Sequence, residues 1–296
     1  MAVLIVASTE PRAGRSTVAA GIAYRLARDG APVTLARLAG DDSAGPDAAA
    51  FAELEYMPAL TAPASIDELK SATGDLVVEA PAGSVAETMR ALGAKAIGVG
   101  SATSPALDVP AEMLAGVVLT RVPASQLAVV RGRANVLAAL PEDRVLAAPS
   151  VEDIARALNA TWLHQTEETP PVDRVMLGTV ASDAASPYFA NRERICVITR
   201  YDKTDIQLAA LLTDLSCMVI TSGGEPSPYL IDRVRGRREE VALMETALST
   251  PDAMETIEGL YGTSRFAGEG KLARIVAMLD EAGFVAPLPV AGTAGA

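Results

Sequence analysis

The segment Ser8-Thr9-Glu10-Pro11-Arg12-Ala13-Gly14-Arg15-Ser16-Thr17 gathers a glycine, cationic side chains and hydroxyls between an apolar strand-like run and a helical pattern. A loop in that position turns backbone N–H groups, and the positive end of the helix that follows, towards an anion. On this reading Thr9, Glu10, Arg12, Ala13, Gly14, Arg15, Ser16 and Thr17 are the candidate phosphate- or nucleotide-binding residues. Gly14 allows close main-chain approach, and Ser16 or Thr17 stands where a hydroxyl ligates Mg²⁺. The loop departs from a standard Walker A sequence twice. Arg15, a planar fork, stands where lysine supplies a compact charge, and Thr9 stands where glycine does. The same spacing also suits a plain strand–glycine–helix turn that holds no ligand.

Two acidic groups could complete a metal site. Asp75-Leu76-Val77-Val78-Glu79 is an apolar run closed by a carboxylate, and Glu79 at its end is placed to hold Mg²⁺ beside the loop. Asp42, in Gly40-Asp41-Asp42-Ser43-Ala44-Gly45-Pro46-Asp47, is the third candidate after Ser16 and Glu79. Both stretches have plainer readings, as a solvated strand end and as a turn leading to a helix N-cap.

These residues need elements to position them. Val3–Ala7, Val33–Leu38, Leu76–Glu79, Ala96–Val99 and Gly116–Leu119 are continuously apolar, the pattern of parallel strands covered on both faces. Ser16–Arg28 is predicted as the first helix and Pro149–Leu158 as a closing one. The polar stretch Thr161–Asp173, with Pro170 and Pro171, interrupts the alternation and is expected to be a linker. Strands at Arg194–Thr199, Ser216–Thr221 and Glu240–Met244 follow, with helices at Lys203–Leu212 and within Gly270–Ala282. The predicted fold class is therefore α/β: a parallel-sheet, P-loop NTPase-like domain over 1–162, a linker over 163–173, a smaller α/β domain over 174–286, and a disordered tail over 287–296.

Composition narrows the function classes. Of 296 residues, half are hydrophobic and only 4% aromatic, so Ala, Val and Leu must fill the core, which suits helices on a sheet. A net charge of -12 argues against nucleic acid and anionic membranes as partners. Cys196 and Cys217 lie in apolar runs and are expected to be buried and reduced. His164 is the single histidine, which leaves little room for imidazole chemistry. With no apolar stretch of membrane-spanning length and no signal-peptide pattern, the protein is expected to be soluble and cytoplasmic.

Ala7-Ser8-Thr9-Glu10-Pro11 through Ser16, Gly116-Val117-Val118-Leu119-Thr120-Arg121-Val122-Pro123, Leu140-Pro141-Glu142-Asp143-Arg144 and Ala148-Pro149-Ser150-Val151 resemble the dethiobiotin-synthetase-like domain. That domain occurs at the N-terminus of long phosphate acetyltransferases and in shorter stand-alone relatives. Gly178-Thr179-Val180, Ile198-Thr199-Arg200-Tyr201-Asp202-Lys203-Thr204-Asp205-Ile206 and Ile220-Thr221-Ser222-Gly223-Gly224 resemble the DRTGG domain that follows it there. The resemblance implies a nucleotide-related first domain and a regulatory second one, with ATP or another adenine nucleotide, together with Mg²⁺, as cofactor. It implies partners among small-molecule nucleotides or metabolites, an enzyme of acetyl-phosphate or acetyl-CoA metabolism, and a homodimer. Arg15 in place of the loop lysine, Thr120 in place of a base-recognising asparagine, a shortened Gly100–Leu114 and Ala80-Pro81-Ala82-Gly83 in place of a glycine-rich turn mark the loop as degenerate. In the DRTGG-like half, Asp202, Lys203, Thr204, Asp205, Thr221, Gly223 and Gly224 fall at the carboxyl ends of adjacent strands, where a crevice for a small ligand forms.

The leading expectation is a regulatory or accessory nucleotide- or metabolite-binding protein, without catalytic residues of its own. An active ATP-dependent synthetase acting on a carboxylate is the first alternative, and a dimerisation or docking scaffold is the second.

Overall fold

A computed structural model describes residues 1–102, 107, 109–166, 172–178, 189, 193–236 and 241–287. Contacts divide the chain into two units, Met1–Leu146 with Phe266–Ala296, and Ala147–Arg265.

In the first unit, β1 (Val3–Ala7), β2 (Val33–Arg37), β3 (Asp75–Glu79), β4 (Lys95–Gly100), β5 (Leu114–Val122) and β6 (Val136–Pro141) form one parallel sheet in the order β2-β3-β1-β4-β5-β6. Between them run α1 (Arg15–Arg28), α2 (Ala44–Ala52), α3 (Ile66–Ser71), α4 (Val85–Leu92) and α5 (Leu127–Arg131). From β1 the chain crosses outward to β2, and from β3 it returns past β1 to β4. The carboxyl ends of β1, β3 and β4 therefore flank a point where the winding reverses, the usual place for a crevice.

Strand parity decides which side chains meet there. Leu4, Val6, Leu35 and Val77 pack with α1, whereas Ile5, Ala36, Val78 and Leu69 pack with α4. Because side chains alternate along a strand, Arg37 and Glu79 fall on the α1 side of the sheet. They are also register partners at the ends of β2 and β3.

The second unit has a mixed sheet in the order β7-β11-β10-β9-β8, built from β7 (Thr161–His164), β8 (Arg174–Leu177), β9 (Ile195–Arg200), β10 (Leu215–Thr221) and β11 (Ala242–Glu245). Only β7 runs antiparallel, against β11. After the short turn α6 (Arg144–Ala147), its helices are α7 (Val151–Ala157), α8 (Thr204–Ala210), α9 (Pro228–Arg235) and α10 (Thr250–Glu258). Val197, Met218 and Leu243 pack with α8 and α9, and Ile198, Val219 and Met244 with α7 and α10. Cys196 and Cys217 are buried, free register partners on neighbouring strands. A hydrogen bond to Cys196, together with burial, raises the Cys217 thiol well above its ordinary value.

Three expectations differ from the structure. Thr161–His164, at the start of the expected linker, is strand β7, because Trp162 and Leu163 have apolar layers to pack on. The last helix, α11 (Glu269–Glu281), was placed in the second domain by the 174–286 boundary, but it packs on α1 in the first unit. Leu272, Ile275 and Leu279 supply the apolar stripe that α1 needs on its outer side. The expected 1–162 domain also runs past Leu146, where the second unit begins. Residues 167–171 of the linker, Thr179, Val180 and residues 288–296 of the tail lie outside the described residues. Among the described residues no helix is long and apolar enough to cross a membrane.

The α1–α11 contact depends on Gly21, where an added Cβ would sit 2.9 Å from Ile275 Cγ1 and 3.0 Å from Leu279 Cδ1. Gly21→Val is expected to lower unfolding stability by roughly 1–3 kcal/mol through overpacking. Urea denaturation checks this as a lower midpoint at unchanged slope.

Candidate functional site

The loop of the first unit folds onto itself before α1 begins. Ser8 Oγ accepts the Glu10 N–H at 3.0 Å, and Arg12 (φ 57°) and Gly14 (φ 84°) take left-handed backbone. Only Gly14 does so without steric cost. Thr120 Oγ1 donates to the Ala13 carbonyl at 2.8 Å, and the Ser101 N–H donates to Glu10 at 2.8 Å. Glu10 also pairs with Arg121. These bonds tie the loop to the ends of β4 and β5. Thr9 is exposed beside a small cavity of about 170 Å³ along those strands, and Thr17 is half-buried in the first turn of α1.

Arg15, the first residue of α1, turns inward. Its Nε donates to Glu79 Oε1 at 2.5 Å, and its Nη2 lies 3.6 Å from Asp41. Ser16 Oγ donates to the same Glu79 oxygen at 3.0 Å. Arg37, fully buried, sits 3.7 Å from Glu79 and donates to Asp47 at 3.3 Å, to Ser43 Oγ at 3.1 Å and to Asp41. Burial pushes the Glu79 carboxyl above its ordinary value, and Arg15 and Arg37 pull it only partly back. For Asp41 burial pushes the same way, but the hydrogen bonds from Arg37 and Ser43 and the charges of Arg37 and Arg15 outweigh it. That carboxyl lies below its ordinary value.

The arrangement is a closed ion network. Arg15, the cation at the position of the Walker A lysine, is committed to Glu79 and Asp41. Of the three expected magnesium ligands, the network brings Ser16 and Glu79 together and leaves Asp42 out. The Ser16 proton points at Glu79, the bonded Glu79 oxygen already carries a guanidinium that would repel a divalent cation, and Asp42 is exposed while Asp41 reaches Arg15. Among the described residues no group of three or more His, Cys, Asp or Glu is placed to hold a metal ion. Glu79 Oε2 is buried with no hydrogen-bond partner among those residues. Arg37 was absent from the expected site. A charged residue closing an apolar strand run was the available signal.

The second unit carries an open crevice of about 1000 Å³ at the carboxyl ends of its parallel strands. Leu177, Ile206, Pro251 and Met254 give it apolar walls, and Arg200, Lys203, Asp205, Glu255 and Glu258 give it charge. Thr221 is buried. Its Oγ1 donates to the Thr199 carbonyl at 3.2 Å and, its proton so used, accepts from Thr250 Oγ1 at 2.7 Å. This chain pins the start of α10 to the ends of β9 and β10. Ser249 caps α10 by accepting the Asp252 N–H at 3.3 Å.

Of the residues expected here, Lys203 and Asp205 line the crevice and Thr221 supports it from below. Asp202 grips Arg200 through two bonds of 3.1 Å, and Thr204 opens α8. Gly223 (φ 64°) makes the turn after β10. Gly224 admits the Tyr201 ring, which an added Cβ would meet at 2.6 Å. Sequence reasoning missed Ser222, Ser249, Thr250, Met254, Glu255 and Glu258. The run Ser249-Thr250-Pro251-Asp252, a capping signature with proline in the first turn, was the legible sign of α10.

Residues 153–260 match the DRTGG domain, so a DRTGG domain is present and lies within the second unit. One solved structure, of the CBS and DRTGG domains of the regulatory region of Clostridium perfringens pyrophosphatase complexed with the activator diadenosine tetraphosphate, is similar at 17% identity and a TM-score of 0.37. The match covers 43% of this chain and 56% of that one.

Two outcomes follow from the ion network. Arg37→Met strands buried carboxylates, and is expected to cost roughly 3–5 kcal/mol of unfolding free energy. The raised Glu79 carboxyl means that the native state holds this proton more tightly than the unfolded chain does. Its contribution is therefore lost as pH rises above the ordinary value of 4.5 and through the folded value. Urea titrations of wild type and Glu79→Gln from pH 4 to 8 are expected to show the wild type losing ground to the variant as pH rises.

Proposed function

We propose, on the premise that residues 153–260 form a DRTGG domain, that this protein is a regulatory or accessory component. It binds a nucleotide or phosphorylated metabolite in the second unit and transfers no phosphoryl group at the loop of the first. The observation that carries this reading is the commitment of Arg15 to Glu79 and Asp41. Phosphoryl transfer depends on positioned, uncommitted positive charge at the phosphates. Here Arg15, at the position of the Walker A lysine, already has two carboxylate partners, and the Ser16 hydroxyl is spent on one of them. A ligand phosphate would have to draw Arg15 away from Glu79, leaving that fully buried carboxylate with less compensation for its charge.

The crevice of the second unit suits a ligand better. Its volume lies at the top of the ~300–1,000 Å³ range of small-molecule sites, and Lys203 makes no ion pair among the described residues. An adenine nucleotide is the candidate ligand. An enzyme of acetyl-phosphate or acetyl-CoA metabolism is the candidate partner through which occupancy would be reported, and a homodimer the candidate assembly.

Isothermal calorimetry with ATP, ADP, AMP and acetyl-CoA, with and without Mg²⁺, tests the reading on the native protein, Gly14→Asp and Lys203→Glu. At least one nucleotide is expected to bind, with affinity within about threefold in Gly14→Asp and at least about tenfold weaker in Lys203→Glu, the loss of about 1.4 kcal/mol or more. Loss of binding in Gly14→Asp alone would return the ligand to the loop. Turnover of ATP by the native protein would overturn the non-catalytic assignment.

A further inference from the structure

The charge of the second-unit crevice is graded along α10, and the grading selects a ligand. This inference rests on the reading that the crevice holds a nucleotide, and it goes further by naming the class. Arg200 and Lys203 line the crevice together with the start of α10, which the Thr199–Thr221–Thr250 hydrogen bonds fix at the ends of β9 and β10. Ser249 and Thr250 add hydroxyls and the positive end of the helix. Further along the same face of α10 come Met254, then Glu255 and Glu258. At the helical rise of ~1.5 Å per residue, Glu255 and Glu258 stand about 8 and 12 Å beyond Thr250 along the axis.

The cationic end is modest. Arg200 is held by Asp202 through two hydrogen bonds, and Asp205 lines the crevice on the first turn of α8. Counting the whole lining, two cations face three carboxylates. A polyphosphate with three or four charges would enter a crevice whose own sum is negative, and like charges disfavour it. A single phosphate can sit between Lys203 and the α10 start without reaching the glutamates. The far end wants the opposite chemistry, because a pair of carboxylates accepts hydrogen bonds and has none to give. Between the two ends Met254, Leu177 and Ile206 offer a flat ring apolar and polarisable contact.

We infer that the crevice is built for a purine nucleoside monophosphate bearing an exocyclic amine. Its phosphate lies at Lys203 and the start of α10, and its amine lies at Glu255 and Glu258. Nucleoside triphosphates and purines with a carbonyl in place of the amine are selected against.

The test is calorimetry of the full chain with AMP, IMP, adenosine and ATP, on the native protein, Lys203→Ala and the double variant Glu255→Gln/Glu258→Gln. All substituted side chains are exposed, so the variants are expected to melt as the native protein does. The native protein is expected to bind AMP at least tenfold tighter than IMP, adenosine or ATP. Lys203→Ala should erase the preference for AMP over adenosine, and the double glutamine variant should bring AMP and IMP within threefold of each other. ATP binding as tightly as AMP, or an AMP-to-IMP ratio unmoved by the double variant, overturns this inference and leaves the nucleotide-binding reading standing. No binding of any of the four overturns this inference, and if ADP and acetyl-CoA also fail to bind, the nucleotide-binding reading falls with it.

Discussion

A carboxylate at the end of a strand buried on both faces has to be neutralised from within the protein, and in the first unit that requirement organises everything around it. Glu79 is fully buried, and its charge is met by Arg15 from α1 and Arg37 from β2. Arg37 in turn draws Asp41 and Asp47 inward, which fixes the turn after β2 and the start of α2. Arg15 draws the first turn of α1 towards β3 and so sets the course of the loop before it. Desolvation makes each of these ions expensive alone, and mutual pairing makes the set tolerable. Arg15 and Ser16 join the end of the loop to this network through Glu79.

The second unit reaches its crevice by other means. No buried ion pair organises it among the described residues. Hydroxyl groups and glycines do, through Thr221 and Thr250 under the start of α10 and through Gly224 against the Tyr201 ring. The charged groups are left on the rim, where water screens them and where they remain free to change partners. One unit has spent its charges on its own architecture, and the other has kept them available.

Much of the fold was legible in the chain. Continuous apolar runs mark β1 to β5, β9 and β10, because parallel strands covered on both sides have no polar face to alternate. The loop and Glu79 were legible as neighbours for the same reason, since both lie at strand ends. What escaped were features set by contact between distant segments. Asp41 and Asp42 are chemically alike and adjacent, and only the reach of Arg37 from its register position distinguishes them. Arg37 itself reads in sequence as the polar end of an apolar run. The short strand β7 was hidden by the prolines that follow it. The allegiance of α11 was illegible, because chain order suggests that a helix belongs with what precedes it, and only its contacts with α1, Gly21 against Ile275 among them, say otherwise.

That allegiance makes the second unit an insertion. Its two ends are sewn together, the Gly262 N–H donating to the Ala147 carbonyl at 2.8 Å. During synthesis the first unit's sheet emerges early but lacks the helix that covers the outer side of α1. That helix arrives only after the whole inserted domain has left the ribosome. The N-terminal unit is thus the last to be completed, its apolar flank waiting on the far end of the chain. Closing the inserted domain on itself replaces a long flexible excursion by two chain ends held side by side, and so lowers the loop-closure entropy that the returning helix has to overcome.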